Sequence, residues 1–230
     1  DKYITWPDAN ERVEIAQRIE KEFQWPNCVG IKDGMLSEFG ITPRCRDKAD
    51  YNGRKYAFSL SSLLICDDQR LIRARLTGFP GSAHDNRIWR NMDQCMDPEK
   101  YFSPTEYILC DTAFTPSTHS IPSYKAANGF VQHKDEELFN DALSRPRVIS
   151  EHTNGMLKSR FPWIRKIHMI LTDDKKSLKR ILKYMDACIT LHNMLIIHNA
   201  DDADEWETQS QESRHDDPTR CGIFWWAVAE

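Results

Sequence analysis

The sequence contains no apolar run long enough to cross a membrane as a helix. Its longer uninterrupted apolar stretches, such as Met194 to Ile197, fall far short of the roughly 20 residues that such a helix needs. No signal peptide and no internal repeat can be recognised either. With 40% apolar and 29% charged residues over 230 positions, the composition is instead that of a globular protein with a substantial core.

Cysteine pairs at ligand spacing are also missing. The seven cysteines are scattered and odd in number, and this favours a reducing compartment over a disulfide framework. Cys188 and His192 are one helical turn apart, but no second pair has the spacing of zinc ligands, so we expect no structural zinc site. There is no helix-turn-helix or zinc-finger pattern. Because the chain begins at Asp1, we expect it to be a piece of a longer protein whose N-terminal modules are missing.

The net charge of −4 conceals an uneven distribution of charged residues. Residues 201–230 carry a net charge of −7, and residues 1–200 a net charge of +3. Within residues 1–200, the stretch 151–190 carries nine Lys and Arg against four Asp and Glu. A basic stretch of this kind suits a polyanionic substrate, although a solvated helix face accounts for the same charges.

The hydrophobic pattern predicts strands and helices in a definite order. A helix over 10–23 precedes a short strand over 28–35, which we expect to end at a turn at Asp33-Gly34. The following segments are a hairpin (56–66 and 71–76), a rigid turn (78–82), a helix (85–92), a strand (106–110), an irregular insertion (114–145) and two helices (146–160 and 175–198).

This order predicts an α/β fold of the RNase H-like kind. It would consist of an antiparallel three-strand meander plus a parallel strand, flanked by helices, with an irregular insertion before the catalytic helix. The predicted domains are an N-terminal helical segment (1–27), a catalytic domain (28–199) and an acidic, mobile C-terminal tail (200–230).

Three acidic residues carry the functional prediction: Asp33, Asp111 and Glu151. In an RNase H-like sheet the first and fourth strands are neighbours, which would bring Asp33 and Asp111 together. Three converging carboxylates form an oxygen-ligand site for Mg²⁺ or Mn²⁺, which suits phosphodiester chemistry by two metal ions. Taken singly, each residue has a simpler explanation: a turn, a strand-end cap and a helix surface position.

The helix around Glu151 supports the same site. Arg147, Glu151, Asn154 and Lys158 recur at helical spacing and form a single stripe, so Glu151 would face the cleft among groups able to contact phosphates. An ordinary ion pair of Glu151 with Arg147 or Lys158 is the alternative.

Other residues receive secondary predictions. Asp85 would cap the helix that begins there or support the metal site, and His84 and His152 would contact phosphate or water, with a purely structural role open for both histidines. His192 and Asn193 would form hydrogen bonds inside the protein. The basic and amide side chains expected to contact DNA are Arg44, Arg46, Lys48, Arg54, Lys55, Arg147, Asn154, Lys158 and Arg160.

Six blocks of the sequence resemble the catalytic domain of PIF/Harbinger-type DDE transposases, over about residues 25–198. They are Asn27-Cys28-Val29-Gly30-Ile31-Lys32-Asp33-Gly34, Tyr51-x-x-Arg54-Lys55 with Ser59, Gly78-Phe79-Pro80-Gly81-Ser82-x-His84-Asp85, Leu109-Cys110-Asp111-Thr112-Ala113-Phe114, Arg147-x-Ile149-Ser150-Glu151 with Leu157-Lys158-x-Arg160-Phe161, and Leu191-His192-Asn193.

The resemblance implies an RNase H-like fold and a catalytic triad of Asp33, Asp111 and Glu151 that binds two Mg²⁺ or Mn²⁺ ions. It implies an enzyme that acts in the nucleus as a homo-oligomer. Members of the family it resembles cut DNA at transposon ends and join it to a target. Recognition of the ends would fall to a missing module or to a Myb-like partner protein. The sequence departs from the family pattern at Lys32, where a small residue is usual, and at Cys110, where Gly is usual.

Two other functions remain open at this point. One is a domesticated, non-catalytic derivative that binds DNA or chromatin proteins, although such a protein has no physical need for three converging carboxylates. The other is an RNase H-type nuclease that hydrolyses strands without joining them.

Overall fold

A mixed β-sheet forms the centre of the structure, a computed structural model that describes residues 2–53, 57–125 and 133–198. Its strands are β1 (Cys28–Phe39), β2 (Ser59–Cys66), β3 (Ile72–Pro80), β4 (Tyr107–Cys110), β5 (Ser120–Pro122) and β6 (Lys166–Ile167). The α-helices are α1 (Ala9–Phe23), α2 (Asp85–Trp89), α3 (Asp93–Met96), α4 (Pro98–Tyr101), α5 (Lys134–Arg160), α6 (Pro162–Arg165) and α7 (Lys175–His198).

The order of the five main strands across the sheet is β3-β2-β1-β4-β5. Strands β1, β2 and β3 form an antiparallel meander, and β4 lies parallel to β1 on its other side. Strand β5 continues in parallel beyond β4, and β6 pairs with the last residues of β1. The arrangement confirms the predicted RNase H-like mixed sheet flanked by helices.

Strand β1 continues through Asp33-Gly34, so the predicted turn at this point is wrong. Each residue from Ile31 to Glu38 is paired with a residue of β2, and β4 pairs with the other edge of β1. Gly34 marks a close contact, because a Cβ atom at this position would lie 2.8 Å from Oδ1 of Asp85. Asp33 therefore lies inside the central strand and not at its end.

Strand β3 also runs further than predicted and includes most of the expected rigid turn at 78–82. Leu76 and Phe79 are paired with Leu63 and Ser61 of β2, so β3 has one extra residue between these two pairs. Gly78 lies in this bulge with a φ of 97°, a conformation that glycine adopts without strain. The bulge lets the strand continue to Pro80.

Helix α5 begins at Lys134, so the predicted start at residue 146 is wrong. A capping box of His133 and Glu136 begins the helix, which therefore takes up the last part of the expected irregular insertion. Pro146 lies inside the helix and has no N–H to donate to the carbonyl of Ala142, four residues earlier. Nε1 of Trp25 donates to that carbonyl over 3.3 Å and replaces the missing hydrogen bond.

The other long helices agree with their predicted bounds. Helix α1 begins after Asp8, whose carboxylate accepts the backbone N–H groups of Asn10 and Glu11, and α7 spans the predicted 175–198. Helix α2 ends at Trp89, earlier than predicted. The short helices α3, α4 and α6 and the 3₁₀ turn Lys48–Tyr51 were not predicted.

Both faces of the sheet are covered by helices. On one face, Ile15 of α1 and Leu143 of α5 pack against Ile31, and α7 continues the same layer beyond α5. On the other face, Trp89 of α2 and Phe114 pack against β2 and β4. Residues up to Met194 form one compact unit, and the described part of the second unit is the last turn of α7. No helix within the described ranges is long and apolar enough to cross a membrane.

Asn193 of α7 pairs with the backbone of β3. Its side-chain oxygen accepts the N–H of Ile72 over 2.9 Å, and its Nδ2 donates to the carbonyls of Ile72 and Tyr3 over 2.8 Å. His192, beside it, lies within 3.3 Å of the Arg70 carbonyl through Nε2. The prediction that both residues bond inside the protein is confirmed. The amide occupies the edge of β3 as another strand would.

We expect Asn193→Ala to lower the free energy of unfolding by about 2–4 kcal/mol, because it leaves the buried N–H and C=O of Ile72 without partners. Urea unfolding at neutral pH measures the change. Leu191→Ala on the same helix alters a side chain that is 44% exposed and should cost less than about 1 kcal/mol. Equal losses in the two variants would contradict the proposed pairing.

Candidate active site

Asp33 lies inside β1, and Asp111 is the first residue after the neighbouring parallel strand β4. Ile31 of β1 is in register with Leu109 of β4. Asp33 follows Ile31 by two residues, and Asp111 follows Leu109 by two residues. Residues two apart in a strand point to the same face, so Asp33 lies on the face that α5 covers, with Ile31. One oxygen of Asp111 accepts the backbone N–H of Ala113 over 2.8 Å, which fixes the start of the loop after β4. The two carboxylates are close enough to affect each other electrostatically.

The carboxyl group of Asp33 is mostly buried, and its charge is only partly compensated. Burial raises its pKa from the ordinary value of 3.8 to about 6, against the lowering effect of Arg147 and with a further rise from Asp111. Nδ2 of Asn154 donates to Oδ2 of Asp33 over 2.9 Å. A buried carboxylate beside a second one is a position where a bound cation relieves both desolvation and repulsion.

The predicted polar stripe of α5 faces this site. Arg147 and Asn154 both act on Asp33, and Glu151 lies between them along the helix. The Glu151 side chain is 51% exposed, however, and its Oε1 lies 3.7 Å from Nη2 of Arg147. The ion pair considered as the alternative is therefore present. Glu151 lies about 60° further than Asn154 from the buried face of the helix, which accounts for its exposure.

The donor groups fit a divalent cation only in part. Within residues 2–53, 57–125 and 133–198, no three His, Cys, Asp or Glu side chains are arranged as a metal-binding group. Asp33 and Asp111 supply two adjacent carboxylates, the kind of ligand that Mg²⁺ and Mn²⁺ prefer. Their chemistry suits such an ion, and Glu151 is not arranged with them as a third ligand. The assignment of a catalytic triad, and of two ions, stays a prediction.

His84, and not Asp85, caps helix α2, so the predicted capping role of Asp85 is wrong. Nδ1 of His84 accepts the backbone N–H of Asn86 over 3.3 Å. The Asp85 carboxylate lies against Gly34, and therefore on the opposite face of β1 from Asp33. That position does not favour a role beside ions held by Asp33. His152 follows Glu151 on α5 and is partly buried.

The predicted DNA-contacting residues before β2 lie on the surface or outside the described residues. The backbone N–H of Arg44 donates to the Leu171 carbonyl over 2.7 Å. The Arg46 side chain is 91% exposed and lies 4.0 Å from Asp173, and Lys48 is exposed on its 3₁₀ turn. Arg54 and Lys55 lie outside the described residues.

The two basic residues near the end of α5 differ in orientation. Lys158 lines a small cavity of about 60 Å³ with Glu38 and Ser59, on the same helical stripe as Asn154. The guanidinium of Arg160 lies close enough to His192 of α7 to contribute to lowering its pKa, although burial is the main cause. Arg160 therefore extends toward α7, away from the Asp33 site.

Lys32 is buried on the opposite face of β1 from Asp33, in surroundings that the sequence did not predict. Its Nζ donates to Oγ of Ser120 over 2.6 Å and lies 3.5 Å from the centre of the Trp89 ring and 4.3 Å from that of Phe114. Burial lowers the pKa of Lys32 to about 8. Cys110, the second departure from the family pattern, lies 3.5 Å from the same Ser120 hydroxyl. The two departures therefore belong to one cluster around Ser120, on the face of the sheet opposite Asp33.

The strand order and the neighbouring carboxylates place the chain in the RNase H-like class of α/β proteins. Residues 33–193 match the model of the family described as DDE superfamily endonuclease, and the chain belongs to this family. No match was found among curated proteins or among solved structures. The match confirms the predicted resemblance at the level of the DDE superfamily.

We expect Asp33→Asn to stabilise the folded protein above pH 6 in EDTA, by about 1–3 kcal/mol. A carboxyl whose pKa is raised by folding binds its proton more tightly in the folded state. Ionisation therefore costs stability progressively from about pH 4 to pH 6, and the full cost is present above pH 6. Asparagine carries no such cost.

Urea unfolding of the wild type and Asp33→Asn at pH 4 and pH 7.5 checks this expectation. The stabilisation should be large at pH 7.5 and small at pH 4. Asp141→Asn, an exposed carboxylate on α5 paired with Arg145, serves as the control and should change stability little at either pH. A pH-independent effect of Asp33→Asn would show that burial of its charge is not the cause.

Lys32→Met and Lys32→Ala should have different effects on stability at pH 7. Methionine fills nearly the same space without the buried charge, so we expect it to match or exceed the wild type in free energy of unfolding. Alanine leaves a cavity between Trp89 and Phe114 and should cost about 2–4 kcal/mol. Thermal or urea unfolding measures both, and an equal loss in the two variants would show that the ammonium itself stabilises the fold.

Proposed function

We propose that this chain is the catalytic domain of a PIF/Harbinger-type transposase, a metal-dependent DNA endonuclease that cleaves DNA strands and transfers their 3′ ends. One observation carries the proposal: Asp33 lies in β1 and Asp111 directly follows the adjacent parallel strand β4, and helix α5, which bears Glu151, covers Asp33, in a member of the DDE superfamily endonuclease family. This arrangement has the first and second acidic residues of the predicted triad as neighbours.

Asp33, Asp111 and Glu151 are the proposed ligands of two divalent ions, Mg²⁺ or Mn²⁺. When bound, such ions would supply the charge that activates an attacking water or 3′-hydroxyl and stabilises the leaving 3′-oxygen. The protein then contributes position and charge more than covalent chemistry, as in other phosphoryl transfers.

Asn154 and Arg147 have distinct proposed roles. The hydrogen bond from Asn154 holds the Asp33 carboxylate in one orientation before any ion binds. Glu151 completes the site when its carboxylate leaves Arg147, and an exposed pair of this type is worth only a few tenths of a kcal/mol. Arg147 is then available to contact the phosphate next to the bond that breaks.

The proposed substrate is DNA, bound through its phosphates in the nucleus. The exposed Arg46 and Lys48 are suited to backbone contacts, as is Lys158 on the stripe of α5 that faces the site. We also propose that the protein acts as a homo-oligomer and that a Myb-like partner, or a module outside this chain, recognises the transposon ends.

We expect Asp33→Asn, Asp111→Asn and Glu151→Gln each to reduce metal-dependent nicking of a supercoiled plasmid by at least about a hundredfold, since each removes a charge that neutralises the ions. Circular dichroism should show that the variants remain folded. Asp141→Asn, on the same helix as Glu151, should keep its activity. Full activity in any of the three variants would remove that residue from the proposed triad.

A strand-transfer assay separates the transposase from a nuclease that only hydrolyses. A labelled oligonucleotide with a free 3′-hydroxyl should become joined to the plasmid, and the same oligonucleotide with a 3′-deoxy end should not. Nicking without joined product would favour the RNase H-type nuclease. Absence of nicking by the wild type with both Mg²⁺ and Mn²⁺ would favour the non-catalytic, DNA-binding derivative.

A further inference from the structure

A cavity of about 530 Å³ opens directly beside the Asp33 and Asp111 site. It lies at the end of the sheet where β4 and β5 finish, and Thr112, the residue after Asp111, forms part of its lining. Its other walls come from the loop after β4, from β5 and from Phe139 of α5. Its volume is within the range of about 300–1,000 Å³ that small-molecule sites usually have.

Hydrogen bonds hold two walls of this cavity in place. On the side of the loop after β4, Asn86 of α2 donates to Oγ1 of Thr115 over 2.7 Å and accepts the Thr115 backbone N–H over 3.3 Å. On the side of α5, Asn140 accepts the backbone N–H of Tyr124 over 2.7 Å and donates to its carbonyl over 3.0 Å. Both walls are therefore tied to helices, and the cavity is formed before any ligand binds.

Aromatic rings line the part of the cavity next to α5. The rings of Tyr124 and Phe139 are 5.1 Å apart and nearly perpendicular, and Phe139 packs in the same way against Trp25 at 5.4 Å. Tyr124 is 50% exposed, although aromatic side chains usually bury most of their surface. A flat apolar ligand placed against these rings would cover that surface.

Polar groups accompany the rings. The hydroxyl-bearing residues Thr112, Ser117 and Ser123 line the cavity and are suited to hydrogen bonds with a ligand's edge. Lys125 adds a positive charge to the lining. A flat apolar face, a polar edge and a nearby negative charge are together the features of one nucleotide of a nucleic acid strand.

We propose that this cavity binds an unstacked nucleobase of the DNA strand whose phosphate lies at Asp33 and Asp111. The base packs against the rings of Tyr124 and Phe139, and Lys125 contacts a phosphate of the same strand. This inference rests on the proposed function, since it places the DNA strand at those two carboxylates. It adds a site that fixes the position of the strand through a base.

Two labelled single-stranded DNA oligonucleotides of equal length test the proposal, one of mixed sequence and one with abasic sugars throughout. Fluorescence anisotropy in calcium buffer measures the dissociation constant of each. We expect the wild type to bind the base-containing strand about tenfold more tightly, since stacking on one aromatic side chain is worth about 1–3 kcal/mol. Tyr124→Ala and Phe139→Leu should reduce this ratio toward one, and the leucine keeps most of the apolar volume that supports the fold.

Three matched variants complete the experiment. Leu138→Ala, next to Phe139 and 60% exposed, should keep the wild-type ratio, and so should Tyr124→Phe, which retains the ring. Lys125→Ala should weaken both oligonucleotides equally, because a phosphate contact does not depend on the base. An unchanged ratio in Tyr124→Ala and Phe139→Leu would overturn the proposal, and so would a wild type that does not distinguish the two strands.

The plasmid nicking assay separates failure of this inference from failure of the proposed function. Nicking without any base preference would overturn the base site and leave the nuclease in place. A base preference that depends on Tyr124 and Phe139, in a protein that does not nick DNA, would support the base site and reject the enzyme. A concentration-dependent dimer that Phe139→Leu abolishes would assign the cavity to a second copy of the chain and overturn the proposal.

Discussion

The architecture depends on the cost of keeping one carboxylate inside the central strand. Asp33 is paired with Leu64 of β2, lies just beyond the residues of β1 that pair with β4, and is covered by α5, so burial raises its pKa to about 6. The amide of Asn154 and the charge of Arg147 offset part of this cost, and both come from α5. The position of that helix, held at Pro146 by the indole of Trp25, therefore determines how well the site tolerates its charge. A site with an uncompensated negative charge is prepared to bind a cation.

Two oppositely charged residues that follow each other in a strand point to opposite faces of the sheet, so they do not form an ion pair. Lys32 and Asp33 are neighbours in sequence, but the alternation of side chains sends them to opposite faces of β1. Each charge therefore has its own surroundings: two aromatic rings and a serine for Lys32, an amide and an arginine for Asp33. Ser120 and Phe114, which both contact Lys32, also line the cavity beside the site. The buried ammonium of Lys32 therefore lies directly behind one wall of that cavity.

The sequence predicted the sheet order and the long helices α1 and α7, because apolar periodicity and strand order determine these features. It failed where a tertiary contact changed the meaning of a local pattern. Asp33-Gly34 has the pattern of a turn, but Gly34 makes room for Asp85 in a continuous strand. Pro146 predicts the start of a helix, but Trp25, distant in sequence, supplies the missing donor inside a longer one. The acidic first turn of α5 at 135–137 was a local indication of the true start. The aromatic surroundings of Lys32 could not be predicted, because Trp89, Phe114 and Ser120 come from three separate segments.

The family match begins at Asp33, in the middle of β1, while the strand itself begins at Cys28. A fragment cut at the limits of that match would lose the first part of the central strand and would leave one edge of β4 without its partner, while β5 still pairs with the other edge. It would also lose α1 and Trp25, and with them the cover over Ile31 and the hydrogen bond that the proline of α5 requires. A fragment that keeps these contacts therefore starts before the cap of α1 at Asp8, well ahead of the first residue of the family match.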